Sequence, residues 1–147
     1  MESKYDSLKL ENQLCFPLYL CSKEIIKKYT PLLNKVNLTY TQYLVMMYFW
    51  EKKSSNVKDI SKTLLIDSST LTPLLKKLES KGYITRIRSS YDERNLDIKI
   101  TNTGLKLRDK VLNIPKEMRK CVNLTEEEAE VLYKIIYKIL INVEWND

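Results

Sequence analysis

Three cysteines are the residues of this 147-residue chain whose side chains could do redox chemistry: Cys15, Cys21 and Cys121. An odd number without a C-x-x-C pair indicates neither a disulfide scaffold nor a zinc knuckle. A thiolate is the form that attacks a peroxide, and hydrogen bonds donated by phenols would stabilise it over the thiol. The alternative is that each cysteine is a small apolar core residue, as most free cysteines are, and the residues alone favour that interpretation for Cys15.

The composition excludes several classes of protein. The chain has no histidine, which removes His-containing catalytic triads and His-containing zinc sites, and we expect no metal, no cofactor and no enzyme activity. Twenty-five Lys and Arg against 19 Asp and Glu give a net charge of +6, which favours an anionic partner without requiring one. Neither a signal peptide nor an apolar run long enough to cross a bilayer is visible, so we expect a cytoplasmic protein without a membrane partner.

Residues 67–80 carry two opposed stripes at helical spacing. The apolar stripe is Leu71, Leu74, Leu75 and Leu78, and the opposite stripe, which has no carboxylate, is Ser69, Thr72, Pro73 and Lys76. Hydroxyls can bond base edges or phosphates, lysine neutralises phosphate, and a proline ring or threonine methyl can touch a thymine methyl. A DNA-reading face and an ordinary solvated face fit this segment equally well.

The segments on either side of this helix favour DNA. Asn56 can cap a short helix that ends near Leu64, and Asp67 can cap the next one, which predicts a helix-turn-helix. Gly82 follows where a helix needs a left-handed residue at its C-terminus.

Two period-two segments then predict a hairpin, or wing. Residues 84–88 and 96–100 alternate around the polar turn 89–95. Leu96, Ile98 and Ile100 should pack inward, whereas the arginines at 86, 88 and 94 should stay available to phosphates or to a minor groove.

The remaining segments are helical. We expect a helix over about 8–28 that Pro17 interrupts, so that it bends or restarts close to Cys15, and a short helix that starts at Thr30-Pro31. Capping boxes at 39–42 and 125–128 begin an apolar helix to about Trp50 and a C-terminal helix with an apolar stripe, and the helix over 101–121 should break near Pro115. The C-terminal stripe needs a partner surface, for which a dimer interface is the better explanation than the N-terminal helices of the same chain.

The predicted fold class is therefore mainly α with a small β-hairpin wing. We expect a single domain over 1–147, with the winged helix-turn-helix at about 56–101 and dimerisation helices at about 8–36 and 102–143.

Several segments resemble the MarR family of dimeric bacterial repressors. They are residues 64–68 (LLIDS), 70–78 (TLTPLLKKL) and 92–94 (DER). Residues 10–16 (LENQLCF), followed by Tyr19, Tyr29 and Tyr40, are similar to the organic-hydroperoxide-sensing OhrR subgroup of that family and its staphylococcal relatives.

The resemblance implies a winged-helix dimer that represses a peroxide-detoxifying gene until a peroxide oxidises its N-terminal cysteine. By position, Cys15 is the sensing thiol, and Tyr29 and Tyr40 are the phenols that hydrogen-bond its thiolate from the other subunit. Tyr19, one helical turn from Cys15, lines the same pocket. Apolar neighbours such as Phe16 suit an organic hydroperoxide better than hydrogen peroxide.

The other two cysteines have lesser roles in this interpretation. Cys21 is expected to pack, and Cys121 is a possible resolving thiol that would form an intersubunit disulfide with Cys15. We favour a one-cysteine switch, in which the sulfenate is trapped by a small thiol or over-oxidised. Pro17 stands where a helix former is expected, which affects the geometry around the thiol.

The partner implied is double-stranded, pseudo-palindromic operator DNA. The residues expected in the major groove or at its phosphates are Ser68, Ser69, Thr70, Thr72, Pro73, Lys76 and Lys77. Arg94, braced by Asp92, is expected in the flanking minor groove. Ser69 replaces a glycine common at that position in the family.

Three other functions fit parts of the pattern. A MarR-type repressor could be released by a small phenolic or apolar ligand instead of an oxidant. A thiol-dependent peroxidase would use the same Cys15 catalytically. A structural DNA-coating protein would show little sequence preference at raised salt.

Overall fold

A computed structural model describes residues 3–89 and 96–144 of the chain. They fall into two compact units, Met1–Ile114 and Pro115–Asp147. The helices are α1 (Cys15–Asn34), α2 (Tyr40–Lys52), α3 (Val57–Leu64), α4 (Ser68–Ser80), α5 (Asn102–Val111), α6 (Ile114–Val122) and α7 (Glu126–Glu144). The strands are β1 (Ser54–Asn56), β2 (Ile84–Arg88) and β3 (Leu96–Ile100). The predicted fold class, mainly α with a small wing, is confirmed.

The first long helix starts where the sequence predicts a restart, close to Cys15, but it differs from the prediction at Pro31. α1 begins at Cys15 and not near Leu8, so Pro17 lies in its first turn, where backbone N–H groups have no partner in the helix and proline costs little. The preceding residues form two short 3₁₀ turns, Asp6–Leu8 and Leu10–Asn12.

α1 also continues through Pro31 to Asn34, so the predicted helix start at Thr30-Pro31 is wrong. Pro31 cannot donate to the carbonyl of Lys27, so α1 continues there with one backbone hydrogen bond fewer. The Thr30 hydroxyl donates to a different carbonyl, that of Ile26, at 3.3 Å. Continuing the helix keeps Leu33 in the core, where it is 1% exposed.

α2 runs through the middle of the first unit. Its predicted capping box is present: the Gln42 amide donates to Thr39 Oγ1 at 3.2 Å, and the Thr39 amide donates to Gln42 Oε1 at 3.1 Å. Tyr43, Val45, Met46 and Phe49 are buried, as the nearly all-round apolar sequence predicts.

The wing belongs to a three-stranded antiparallel sheet with strand order β1-β3-β2. Arg86 stands opposite Ile98, and Ile84 opposite Ile100. Ile84 and Ile98 are buried, and Leu96 and Ile100 are half-buried. β1 was not predicted, because Ser-Ser-Asn has no apolar alternation. It joins the sheet by pairing with β3.

The helix predicted over 101–121 is interrupted between α5 and α6, next to Pro115, as predicted. The second capping box is also present: the Glu128 amide donates to Thr125 Oγ1 at 3.2 Å, and the Thr125 amide donates to Glu128 Oε2 at 2.9 Å. The apolar stripe of α7 is largely exposed in the single chain. Within residues 3–89 and 96–144, no helix is both long and apolar enough to cross a membrane.

Candidate redox site and nucleic-acid interface

Cys15 is the first residue of α1, and its side chain is exposed. Tyr19 lies one helical turn further along, and its phenol is 60% exposed. The ammonium of Lys23 lies 5.4 Å from the centroid of the Tyr19 ring, so a cation covers one face of that phenol. The N-terminal end of α1 therefore presents a thiol and a phenol to the same side, with a positive charge beyond them.

The other two predicted phenols, Tyr29 and Tyr40, lie together. Their ring centroids are 4.8 Å apart, one near the end of α1 and the other at the start of α2. Both rings are half-buried. A third ring, the buried Tyr43 of α2, has its centroid 6.0 Å from that of Tyr29 and 6.5 Å from that of Tyr40.

The surroundings of this cluster keep its phenols protonated. Burial raises the pKa of Tyr29, Tyr40 and Tyr43 above the usual phenol value, and neighbouring phenols raise it further at Tyr29 and Tyr43. A protonated phenol can donate a hydrogen bond. Tyr29 and Tyr40 therefore carry two O–H donors on adjacent rings.

The thiol and the phenol pair cannot meet within one chain. Cys15 and Tyr29 belong to the same continuous helix, 14 residues apart, and a rise of 1.5 Å per residue separates them by about 21 Å along its axis. A Cys15 thiolate that reaches the pair must therefore come from another chain.

The other two cysteines, Cys21 and Cys121, are both exposed. Cys21 is exposed, so the prediction that it packs is wrong for the single chain. Cys121 is also exposed and lies on α6 in the second unit. Pairing of Cys121 with Cys15 stays a prediction.

α4 has the two faces that its sequence predicts. Leu71, Leu74, Leu75 and Leu78 are buried. The polar residues Ser68, Ser69, Thr70, Pro73, Lys76 and Lys77 are exposed, and Thr72 is half-buried. The Thr72 hydroxyl donates to the Ser68 carbonyl at 2.8 Å, which leaves its methyl group and oxygen lone pairs for other contacts.

The turn before α4 is built differently from the prediction. Asp67 occupies the N-cap position, but its side chain makes no capping bond; its carbonyl accepts from the amides of Thr70 and Leu71. Leu65 adopts a left-handed φ of 51°, and the Ser61 hydroxyl donates to the Ile66 carbonyl at 2.7 Å. These bonds set the direction in which α4 leaves α3.

Two features fix the C-terminal end of α4, and only the first is predicted by the sequence. Gly82 has the predicted left-handed φ, 76°. The Lys81 ammonium donates to the Asn37 carbonyl at 2.5 Å and to Gln42 Oε1 at 3.0 Å, which ties the end of α4 to the start of α2.

Arg86 corrects the predicted cationic set of the wing. Its guanidinium donates to Glu79 Oε2 through Nε at 2.8 Å and Nη2 at 2.7 Å, and its side chain is only 18% exposed. Arg86 is therefore bound to α4 and not available to phosphate. Arg88 is exposed, whereas Asp92 and Arg94 lie outside the described residues.

Comparisons with known proteins identify the family. The profile of the family "Transcriptional regulator SarA/Rot" matches residues 27–111. The chain is 44% identical over 140 residues to the organic hydroperoxide resistance transcriptional regulator of Bacillus subtilis, covering 95% of each chain. It is 46% identical over 129 residues to the regulator SarZ of Staphylococcus saprophyticus, covering 88% of this chain and 87% of that one.

A solved structure gives the same result for the fold. The structure of reduced AbfR bound to DNA, a protein of Staphylococcus epidermidis, matches with a TM-score of 0.78 and 31% identity. The match covers 96% of this chain and 99% of that chain. The chain belongs to the MarR family of transcriptional regulators, in the group that contains OhrR and SarZ.

Proposed function

We propose that this chain is a sequence-specific DNA-binding repressor that acts in the cytoplasm as a homodimer and senses organic hydroperoxides through Cys15. The observation that carries the proposal is the pair of protonated phenols Tyr29 and Tyr40, whose ring centroids are 4.8 Å apart. Cys15 of the same chain cannot reach this pair. A second copy supplies the thiol, and the pair then stabilises its thiolate.

The chemical step needs one hydroperoxide per thiol. The Cys15 thiolate attacks the distal peroxide oxygen, the S–O bond forms and the O–O bond breaks, and the departing alkoxide takes up a proton to become an alcohol. Sulfur loses two electrons and the peroxide gains them. A small thiol can then condense with the sulfenic acid to a mixed disulfide, releasing water.

DNA binding rests on α4 and the wing. The exposed hydroxyls Ser68, Ser69 and Thr70 stand at the N-terminal end of α4, the end that enters a major groove in helix-turn-helix proteins. Lys76 and Lys77 are placed for phosphates further along the helix. Of the two arginines in the described part of the wing, Arg88 is the one whose exposed side chain can contact DNA.

Dimerisation rests on the C-terminal helix. Along α7, the apolar side chains Val131, Leu132, Ile135, Ile136 and Leu140 are between 37% and 55% exposed in the single chain. Exposure of an apolar stripe of this size to water is unfavourable, so another surface should pack against it. A second copy of the chain would bury the stripe and would also bring the thiol that the phenol pair lacks. Oxidation of Cys15 replaces the thiolate with an oxygen-bearing sulfur, which weakens the phenol bonds and shifts the dimer away from the spacing of its two half-sites.

The test uses operator DNA release. Reduced protein bound to a labelled operator is treated with cumene hydroperoxide, and the fluorescence anisotropy of the DNA is followed. Release is expected for the unmodified protein and for Cys21→Ser, which removes an exposed thiol of the same helix, but not for Cys15→Ser. If Cys15→Ser still releases DNA, Cys15 is not the sensor.

Two further readouts separate the remaining chemistry. A repressor consumes about one peroxide per Cys15, whereas continued peroxide loss in the presence of excess small thiol identifies a peroxidase. Mass spectrometry after oxidation should find the small thiol on Cys15 and Cys121 unmodified; a peptide that links the two cysteines identifies Cys121 as the resolving thiol.

A further inference from the structure

Tyr43 has no assigned role, yet it is the buried member of the phenol cluster. Its side chain is 3% exposed, and its ring packs at tilted angles against Tyr29 and Tyr40. Those two rings are themselves only half-buried. The positions of the two donor rings therefore depend on the ring beneath them.

Tyr43 also packs against Trp50, two turns along α2. The two ring centroids are 6.2 Å apart, edge to face. Trp50 Nε1 donates to the Gly104 carbonyl at 2.8 Å. A side chain of α2 is thus fixed to the first turn of α5.

Gly104 lies at the base of the wing, where the backbone leaves no space for a side chain. A Cβ built on it would overlap the Tyr83 carbonyl oxygen, just before β2. The same oxygen accepts from the Thr101 amide at 3.0 Å, directly after β3. Contacts therefore run without a gap from the phenol pair, through Tyr43 and Trp50, to the point where both wing strands meet α5.

We propose that Tyr43 is a positioning residue for Tyr29 and Tyr40, and that Trp50 transmits a shift of these phenols to the base of the wing. Close-packed rings move together in discrete steps, because a gap or an overlap between them costs packing energy. The inference rests on the proposed function, in which the two phenols bind the Cys15 thiolate. When the thiolate is oxidised the phenols move, and Trp50 transmits that movement to Gly104.

Two variants test the role of Tyr43. Tyr43→Met fills space without a ring and should slow Cys15 oxidation about tenfold or more, since small misplacements of activating groups are costly. Tyr43→Phe keeps the ring and should oxidise at nearly the normal rate. Tyr48→Met is the matched control, because Tyr48 is a half-buried ring of α2 outside the cluster whose hydroxyl bonds Ser55 Oγ at 2.7 Å, and it should also oxidise normally.

Trp50→Phe keeps an aromatic ring but removes the bond to Gly104. Its Cys15 should oxidise at the normal rate, but the ratio of operator affinities between reduced and oxidised protein should fall about fivefold or more, the size of a typical coupling between sites. Thermal unfolding of each variant identifies loss of folding. If Tyr43→Met does not fold, Trp50→Phe decides alone.

The outcomes separate the inference from the function beneath it. If the unmodified protein releases DNA through Cys15 but Tyr43→Met oxidises as fast as Tyr48→Met, or Trp50→Phe keeps the full affinity ratio, the inference is overturned and the proposed function stands. If the unmodified protein does not respond to hydroperoxide, both are overturned.

Discussion

The rings of Tyr29 and Tyr40 lie 4.8 Å apart where the end of α1 meets the start of α2. Their positions are set by local sequence: the capping box at Thr39 starts α2 at Tyr40, and α1 continues past Pro31 so that Tyr29 stays on a helix. The single chain already holds the two phenols side by side, so a group that binds them does not have to order them.

Removing either phenol hydroxyl should slow oxidation of Cys15. A hydrogen bond to a charged group contributes about 1.5–3 kcal/mol, so Tyr29→Phe or Tyr40→Phe should lower the rate with cumene hydroperoxide at pH 7 about tenfold or more. The measurement is single-turnover oxidation followed by mass spectrometry. Tyr48→Phe removes a hydroxyl elsewhere on α2 and serves as the control; equal rates in all three variants contradict the role of the pair.

Lysines on α4 and the arginine bound to Glu79 should affect DNA binding differently. Lys76→Gln and Lys77→Gln should each weaken operator binding and reduce the slope of log affinity against log salt by about one for each phosphate that is no longer neutralised. Arg86→Gln should leave that slope unchanged, because its guanidinium is held by Glu79. A slope change for Arg86→Gln equal to that of the lysine variants contradicts the assignment.

The pair of Glu79 and Arg86 should make folding stability depend on acid pH. Hydrogen bonding to Arg86 holds the pKa of Glu79 below its ordinary value of 4.5, so the pair stabilises the fold fully above that value and loses its contribution as the pH falls through the lowered pKa. Glu79→Gln should cost about 1 kcal/mol or less at pH 7, as partly exposed pairs do. Urea unfolding at pH 7 and pH 3 checks the sign: the difference between the two proteins should shrink at pH 3.

The two glycines should differ in their tolerance of a methyl group. Gly104→Ala places a Cβ against the backbone oxygen of Tyr83, and an overlap of this kind costs about 1–3 kcal/mol. At Gly82 nothing lies within 4 Å of the added Cβ, so Gly82→Ala suffers only from its φ of 76°, a cost of about 1 kcal/mol. Thermal unfolding compares them, and an equal loss of stability in both variants contradicts the close approach of Gly104 to Tyr83.

Much of the fold was predictable because the signals are local. The leucine stripe of α4, the left-handed Gly82 and both capping boxes each depend on residues a few positions apart. The pairing of Arg86 with Glu79 joins a strand to a helix, so no sequence pattern marks it. Its alternating position predicts an exposed side chain, and the structure shows a largely buried one.

The candidate site was only partly predictable for the same reason. Resemblance identified Tyr29 and Tyr40, but Tyr43 belongs to an apolar run in which every residue suggests core. Pro17 and Pro31 suggested breaks in α1, since a proline inside a helix usually ends it. Pro17 lies in the first turn, where no bond is lost, and the helix continues past Pro31 because Leu33 packs into the core.

Mixed dimers test the central claim, that the phenols of one chain activate the cysteine of another. One subunit carries Cys15→Ser with intact tyrosines, and its partner carries intact Cys15 with Tyr29→Phe and Tyr40→Phe. The only cysteine at position 15 then lies in a subunit without the phenol pair. The account predicts that it is oxidised by cumene hydroperoxide at the rate of the unmodified protein, because the pair of the other subunit reaches it. The account is contradicted if this Cys15 is oxidised as slowly as Cys15 in a homodimer whose two subunits both carry Tyr29→Phe and Tyr40→Phe.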